Sequence, residues 1–205
     1  MPNRPTKQSR NAPVALGTRH KTNAPKITSA ANGLRLQHRE EVATTIATSA
    51  TINAESGYHI NIVPSISGWL DTMCQLFQEW RLTNLRFEFE PVLPTTAGGR
   101  TITGANIDFT EGSPTASELV GLPNSVTTRL WEPNSFSMPR TYGSKWYNYI
   151  PKATFEALND SEKADYSPGK FHLIVADSDR ASTRAGYLRI HYTIEVRNPA
   201  VPRIN

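Results

Sequence analysis

Residues 58–64 read YHINIVP, residues 65–81 read SISGWLDTMCQLFQEWR, and residues 82–94 read LTNLRFEFEPVLP. In the first segment Tyr58, Ile60 and Ile62 fall on one face, with His59 and Asn61 on the other. That is the period-2 pattern of a half-buried strand, and Pro64 closes it. Ser67 supplies a hydroxyl that can cap a helix, and Leu70, Met73, Cys74, Phe77 and Trp80 recur at three and four residues. This spacing predicts an amphipathic helix over that run. Alternation then returns, with Leu85, Phe87 and Phe89 inward and Arg86, Glu88 and Glu90 outward. A strand, a short helix and a long strand make an antiparallel β scaffold with a helix laid across one connection.

Further segments extend the pattern on both sides. Residues 41–50 (EVATTIATSA) alternate and are Thr-rich, which suits a strand partner for the stretch above. Strands are also expected at 100–109 (RTITGANIDF), 125–133 (SVTTRLWEP), 146–150 (WYNYI), 170–176 (KFHLIVA) and 186–196 (GYLRIHYTIEV). In the last of these Leu188, Ile190, Tyr192, Ile194 and Val196 face one side, while Tyr187, Arg189, His191, Thr193 and Glu195 face the other. Thr115 or Ser117 starts a short helix carrying Leu119 and Val120, and the charged stretch 155–166 reads as a surface loop. Eight strands with two short helical crossovers imply an all-β, eight-stranded antiparallel jelly-roll sandwich.

Composition divides the chain. Residues 1–39 hold Arg4, Lys7, Arg10, Arg19, Lys21, Lys26, Arg35 and Arg39 and no Asp or Glu, a charge of +8. The remaining 14 basic and 18 acidic residues leave the body at −4 within a total of +4. An acid-free, Pro-, Asn- and Thr-rich segment without aromatic residues among its cations suits phosphate contacts rather than base reading. The sequence therefore predicts a basic, largely extended arm over 1–39, a sandwich over 40–198 and a short tail over 199–205. No run approaches the roughly 18 apolar residues of a membrane span, and the N-terminus lacks the apolar core of a signal peptide. The single cysteine, Cys74, excludes an intrachain disulfide framework and reads as a small hydrophobe on a helix face.

Catalytic readings find little support. His20, His38, His59, His172 and His191 lie in the arm or in strand patterns, and none accompanies a Gly-flanked nucleophile. His59 and His191 lack the clustered H-x-H spacing of a cupin-type metal site. No enzyme is expected. Trp131, Trp146, Tyr147 and Tyr149 would suit a cellular jelly-roll lectin or other binding module, which is the alternative reading, although a lectin does not explain the acid-free arm. Asp177 and Asp179 read as a solvated turn. Arg81, Arg129 and Arg189 are candidates for an RNA-facing or subunit-facing surface.

Six segments in order carry a family resemblance: 12–19 (APVALGTR), 34–42 (LRLQHREEV), 60–70 (INIVPSISGWL), 77–96 (FQEWRLTNLRFEFEPVLPTT), 99–109 (GRTITGANIDF) and 129–133 (RLWEP). Together they resemble the coat proteins of small icosahedral positive-strand RNA viruses, tombusvirus-like and sobemovirus-like shell domains in particular, over roughly residues 12–197. The resemblance implies a structural capsid protein of a virion, assembled in the host cytoplasm. It would form a self-assembling T=3 shell of about 180 copies, with its arm against single-stranded RNA and no projecting domain. It also implies calcium between subunits, held by Asp108 and Glu111 of IDFTEG with the C-terminal carboxylate of Asn205. Glu111 stands where the family pattern has Asp. Hard oxygen donors of this kind are what calcium requires.

Overall fold

A computed structural model describes residues 24–31, 33–109, 111–139 and 145–200. Ten strands occur among the described residues. They are β1 (Lys26–Ala30), β2 (Gly33–Ala47), β3 (Ser56–Asn61), β4 (Phe77–Pro91), β5 (Arg100–Asn106), β6 (Val126–Arg129), β7 (Asn134–Ser137), β8 (Tyr147–Asn148), β9 (Lys170–Ala176) and β10 (Arg184–Pro199). One sheet runs β1-β2-β10-β4-β7, with β8 added to β4, and the other runs β3-β9-β5-β6. All pairings are antiparallel. Without β1 and the two-residue β8, four strands remain in each sheet. The chain crosses between the sheets in the manner of a jelly roll. The expected strand count therefore changes while the all-β class holds: β8 answers the strand expected over 146–150, the segment expected over 125–133 supplies both β6 and β7, and the hairpin strand β1 was not expected.

The longest strands form because apolar and polar residues alternate along most of their length. Along β10 the side chains of Leu188, Ile190, Tyr192, Ile194 and Val196 are all buried. On β4 the buried set is Trp80, Leu82, Leu85, Phe87 and Phe89. The step from Leu82 to Leu85 breaks the period of two, and a β-bulge absorbs it: Thr193 pairs with Asn84 while Ile194 pairs with Leu82, so Thr83 is the extra residue. Across the sandwich Phe87 of β4 stacks on Phe171 of β9, with ring centroids 3.7 Å apart and 5° between planes, and Phe136 closes on the same ring at 5.9 Å. These rings join the two sheets into one core.

Several boundaries differ from the sequence expectation. The helix over the central stretch, α1 (Gly68–Cys74), stops before Phe77, because Phe77 and Trp80 belong to the alternation of β4. Its N-cap is Ser67 as expected: Ser67 Oγ accepts from Leu70 N at 3.2 Å. The same hydroxyl donates to Glu40 Oε1 on β2 at 2.6 Å, and the Tyr192 hydroxyl donates to that oxygen as well. Burial first, and Glu40 second, push the Tyr192 phenol well above its ordinary range. The helix is thereby pinned to two strands of the sheet.

The strand expected over 41–50 begins at Gly33, where Leu34 and Leu36 already alternate with Arg35 and pair with Val196 and Ile194 of β10. The arm boundary at 39/40 accordingly falls inside β2, and Lys26–Ala30 and residues 33–39 belong to the sheet. The strand expected over 100–109 ends at Asn106, and that over 125–133 divides into β6 and β7 around a turn at Leu130 and Trp131. Helix α2 (Ala116–Gly121) starts at Thr115, which forms a reciprocal capping box with Glu118. The stretch 155–166 is not a loop: α3 (Lys152–Ala157) and α4 (Asp160–Lys163) occupy it, and Asn159 caps α4 with Glu162 in a second capping box.

His172 on β9 is 3% exposed and lies opposite His59 of β3. Burial, then the charge of Lys170 and the His59 ring, push its imidazole down to about 4. A buried histidine held neutral contributes stability that is complete above about pH 6.5 and is lost as pH falls toward its folded value. Urea midpoints of the unassembled chain are therefore expected to fall between pH 6.5 and pH 5. The accompanying loss of unfolding free energy should exceed that of His172→Gln by up to about 2 kcal/mol, and parallel pH profiles for the two proteins would contradict this.

Candidate nucleic-acid interface

The outward face of the six-stranded sheet is a lattice of ions. Antiparallel register sets its rows: Glu41 of β2, Arg189 of β10 and Glu88 of β4 form one, and Arg39, His191 and Arg86 form the next. Two residues further along come Lys26, Gln37, Thr193 and Asn84, then Arg35, Glu195 and Arg81, and finally Gly33, Arg197 and Glu79. The strand alternation that sends leucine and isoleucine into the core sends these side chains outward.

Two clusters of ion pairs result. In the first, Glu88 accepts from His191 Nε2 at 2.7 Å and from Arg39 Nη2 at 3.1 Å, and Arg39 also reaches Glu90 at 3.4 Å. Arg189 donates to Glu90 as well. Burial works to raise the Glu88 carboxyl, but the bond from His191 and the charges of His191, Arg39 and Arg86 hold it below its ordinary value. His191 is lowered in turn: burial and the Arg86 guanidinium, 3.4 Å from the same ring nitrogen, outweigh the pull of Glu88.

In the second cluster Glu195, 5% exposed, receives four bonds: Arg35 Nε and Nη2 at 3.0 and 2.5 Å, and Arg81 Nε and Nη2 at 2.9 and 2.5 Å. Arg197 makes a two-pronged contact with Glu79 at 2.7 and 3.1 Å. The Trp146 ring lies 4.7 Å from the guanidinium carbon of Arg81 and 4.1 Å from that of Arg197.

The sequence candidates sort clearly against this geometry. Lys26, Arg35 and Arg39 of the arm set share this face with Arg81 and Arg189, but Arg35 and Arg39 are engaged by carboxylates of the same chain. Those two are structural cations of the sheet rather than arm residues, because β2 extends to Gly33. Arg4, Lys7, Arg10, Arg19 and Lys21 lie outside the described residues, as does Asn205. Arg129 sits on β6 of the other sheet, with its guanidinium 5.5 Å from the Trp131 ring. The aromatic candidates are used in packing. Tyr147 packs against Trp80 with ring centroids 5.2 Å apart and planes tilted by 31°, and the Tyr149 hydroxyl donates to Asp71 Oδ1 at 2.9 Å. His59 and His191 occupy different sheets. Asp177 pairs with Arg100 at 2.7 Å in an exposed turn.

The calcium candidates lie just past β5. Asn106 Nδ2 donates to Glu111 Oε2, and Asn106 Oδ1 accepts from Asp108 N at 2.9 Å. The side chain of Asn106 thus ties together the turn that carries both carboxylates. An open groove of about 660 Å³ runs from Asn106 and Glu111 to Glu118 and Leu122 on and beside α2. No group of three His, Cys, Asp or Glu suited to a metal occurs among the described residues. The sequence reading missed the ion lattice as a unit. Its signal was the alternation itself, since Arg35, Arg39, Glu79, Arg81, Glu88, Glu195 and Arg197 all fall on the polar phase of three strands that only tertiary pairing sets side by side.

Two four-stranded antiparallel sheets packed face to face, one extended by β1 and β8 and bearing a lattice of ions on its outer side, define a jelly-roll sandwich. The chain belongs to the viral coat protein (S domain) family, which it matches over residues 7–202. It is 21% identical over 192 residues to the capsid protein of tobacco necrosis virus (strain D), covering 80% of this chain and 69% of that one. Against the capsid protein of melon necrotic spot virus it is 24% identical over 201 residues, covering 92% of this chain and 48% of that protein. Among solved structures, tobacco necrosis virus superposes with a TM-score of 0.81 at 17% identity, over 89% of this chain and 90% of that one. Cocksfoot mottle virus gives 0.69 at 14% identity over 100% and 98%. The relatives are structural proteins, not enzymes, and the lectin and cupin alternatives fall away.

Glu195→Gln is expected to lower stability at pH 7 by about 2 kcal/mol, since it removes the charge that four guanidinium bonds address. Burial raises the Glu195 carboxyl, but Arg35 and Arg81 bring it below its ordinary 4.5, so its contribution is complete above that pH and lost as pH falls through the folded value. The difference in urea midpoint should shrink below about pH 4.5. A difference that stays constant down to pH 3 would show that the charge is not the cause.

Proposed function

We propose that this chain is the shell subunit of an icosahedral virion, closing on copies of itself around single-stranded RNA that its basic N-terminal segment engages. Membership of the coat-protein S-domain family over nearly the whole chain is the observation that carries this reading. The charge partition supports the RNA half of it: the first 39 residues contain no acid. With Arg35 and Arg39 engaged within the sheet, the cations left for phosphate are Arg4, Lys7, Arg10, Arg19, Lys21 and Lys26. Counterion release from such contacts gives sequence-independent binding that weakens steeply with salt. A T=3 arrangement of about 180 copies, inside the virion and assembled in the host cytoplasm, is part of the same reading.

Calcium belongs to it as well. Asp108 and Glu111 offer hard oxygen donors from one turn, and calcium takes six to eight oxygens. One chain supplies only part of such a set, so the cation would sit where a neighbouring copy, through oxygens such as the Asn205 carboxylate, completes it. When bound, it offsets the repulsion between ionised carboxylates at that contact.

The intact chain, expressed and imaged by negative-stain electron microscopy, should yield closed particles of uniform size with an absorbance ratio characteristic of nucleic acid. Replacing Arg4, Lys7, Arg10, Arg19 and Lys21 by Gln should strip most of the RNA. A monodisperse monomer or dimer free of nucleic acid would overturn the reading. Chelation at pH 8 is expected to slow particle sedimentation, and Asp108→Asn with Glu111→Gln should remove that response; unchanged sedimentation of the wild-type particle after chelation would refute the calcium contact.

A further inference from the structure

The smaller sheet has rows of its own on the side turned away from the Phe87–Phe171 core. There His59 of β3 lies directly opposite His172 of β9, and Asn61, two residues along β3 on the same face, lies opposite Lys170. Ile62 N donates to Gly169 O at 3.0 Å. Every second pair along this ladder therefore exchanges backbone bonds, and His59 with His172 falls on an intervening pair that does not. In such pairs the backbones approach to about 4.5 Å and the side chains come closest. The two ring centroids are 6.3 Å apart and the planes are inclined at 42°. Two imidazoles bound to one tetrahedral ion at about 2.0–2.1 Å place their centroids about 5 Å apart. The exposed ring of His59 reaches that spacing by a small rotation about its side-chain bonds.

Donor atoms without partners gather at this place. Among the described residues neither imidazole takes part in a hydrogen bond, and Asn61 Oδ1 is buried with no donor addressing it. A buried carboxamide oxygen left in that state calls for a bound water or ion. A cavity of about 340 Å³ adjoins His59 and Asn61, with Tyr58, Lys152 and Glu156 among its other walls. Burial and the charge of Lys170 keep the His172 ring neutral, and a neutral imidazole carries the lone pair that a metal takes. The Lys170 ammonium itself lies 5.7 Å from the centroid of the Phe109 ring.

We infer that His59, His172 and Asn61 form a site for a divalent transition-metal ion of the zinc type, with water from the adjoining cavity completing its shell. Two imidazole nitrogens and one carboxamide oxygen suit zinc or copper, whereas calcium takes oxygen donors throughout. The site is separate from the carboxylate turn past β5, and it does not depend on the shell reading. A bound ion ties β3, the edge strand of its sheet, to β9 through side chains as well as backbone. An ion that binds only the folded chain raises its stability.

The test titrates zinc chloride into the chelator-treated, full-length chain near neutral pH and follows binding by calorimetry. Copper(II) serves as a second probe, because nitrogen hyperfine structure in its paramagnetic-resonance spectrum counts the imidazoles bound. One zinc per chain, a copper spectrum with two nitrogens and a zinc-dependent rise in urea midpoint are expected. His59→Gln should weaken zinc binding at least roughly tenfold and abolish the rise in midpoint, since loss of even an outer partner of a ligand commonly costs about 10- to 100-fold. His59 is exposed, so this variant keeps the fold, which near-ultraviolet circular dichroism checks. His172→Gln should weaken binding as much. Two controls, His20→Gln and the pair Asp108→Asn with Glu111→Gln, should bind zinc as wild type does. No zinc bound at millimolar concentration, fewer than two nitrogens on copper, or zinc binding that survives His59→Gln would each overturn the assignment. Binding lost in the Asp108 and Glu111 double variant alone would place the metal at the carboxylate turn and overturn it equally.

Discussion

The last strand of the chain is the one on which the larger sheet depends. β10 lies between β2 and β4 and pairs along nearly its whole length with both. Without it neither partner has a neighbour for that edge, and the inner row of Leu188, Ile190, Tyr192, Ile194 and Val196 is missing from the core. Partners separated by some 150 residues in sequence must meet before these hydrogen bonds form, so the sheet is non-local from the outset and loop closure opposes its formation until β10 arrives. The stack of Phe87 on Phe171 then locks the second sheet against the first.

The same pairing that completes the core writes the chemistry of the outer face. A strand with an apolar side chain at every second position presents the intervening residues in a single row, and pairing three such strands turns rows into a lattice. On this face guanidiniums and carboxylates are neighbours by register rather than by sequence. Glu195, buried and addressed by Arg35 and Arg81, shows how a carboxylate can be kept ionised in a largely desolvated place by bonds from strands on both sides. Most of the face's charge is neutralised internally, around Glu88, Glu90 and Glu195.

Charge is divided along the chain, with an acid-free basic segment preceding a mildly acidic body. Asn106 ties together the turn that carries Asp108 and Glu111, both exposed beside β5.

Local pattern was enough to identify β3, the inward face of β4, β9, the two faces of β10 and the Ser67 and Thr115 caps, because each depends on neighbours two to four residues away. It misplaced the end of α1, since a helical stripe through Phe77 and Trp80 and a strand from Phe77 onward are both periodic in those few residues, and only the pairing of Trp80 with Val196 selects the strand. It stopped the arm too late, because Arg35 and Arg39 resemble arm cations until β10 lies beside them. The short helices α3 and α4 were hidden because they bury little beyond Phe155 and stand on local capping. The sequence by itself determined the fold class and the segregation of basic charge, both properties of composition and short-range alternation. Which arginines are spent on carboxylates was decided only by tertiary register, because ion pairs across a sheet join residues that the chain keeps far apart.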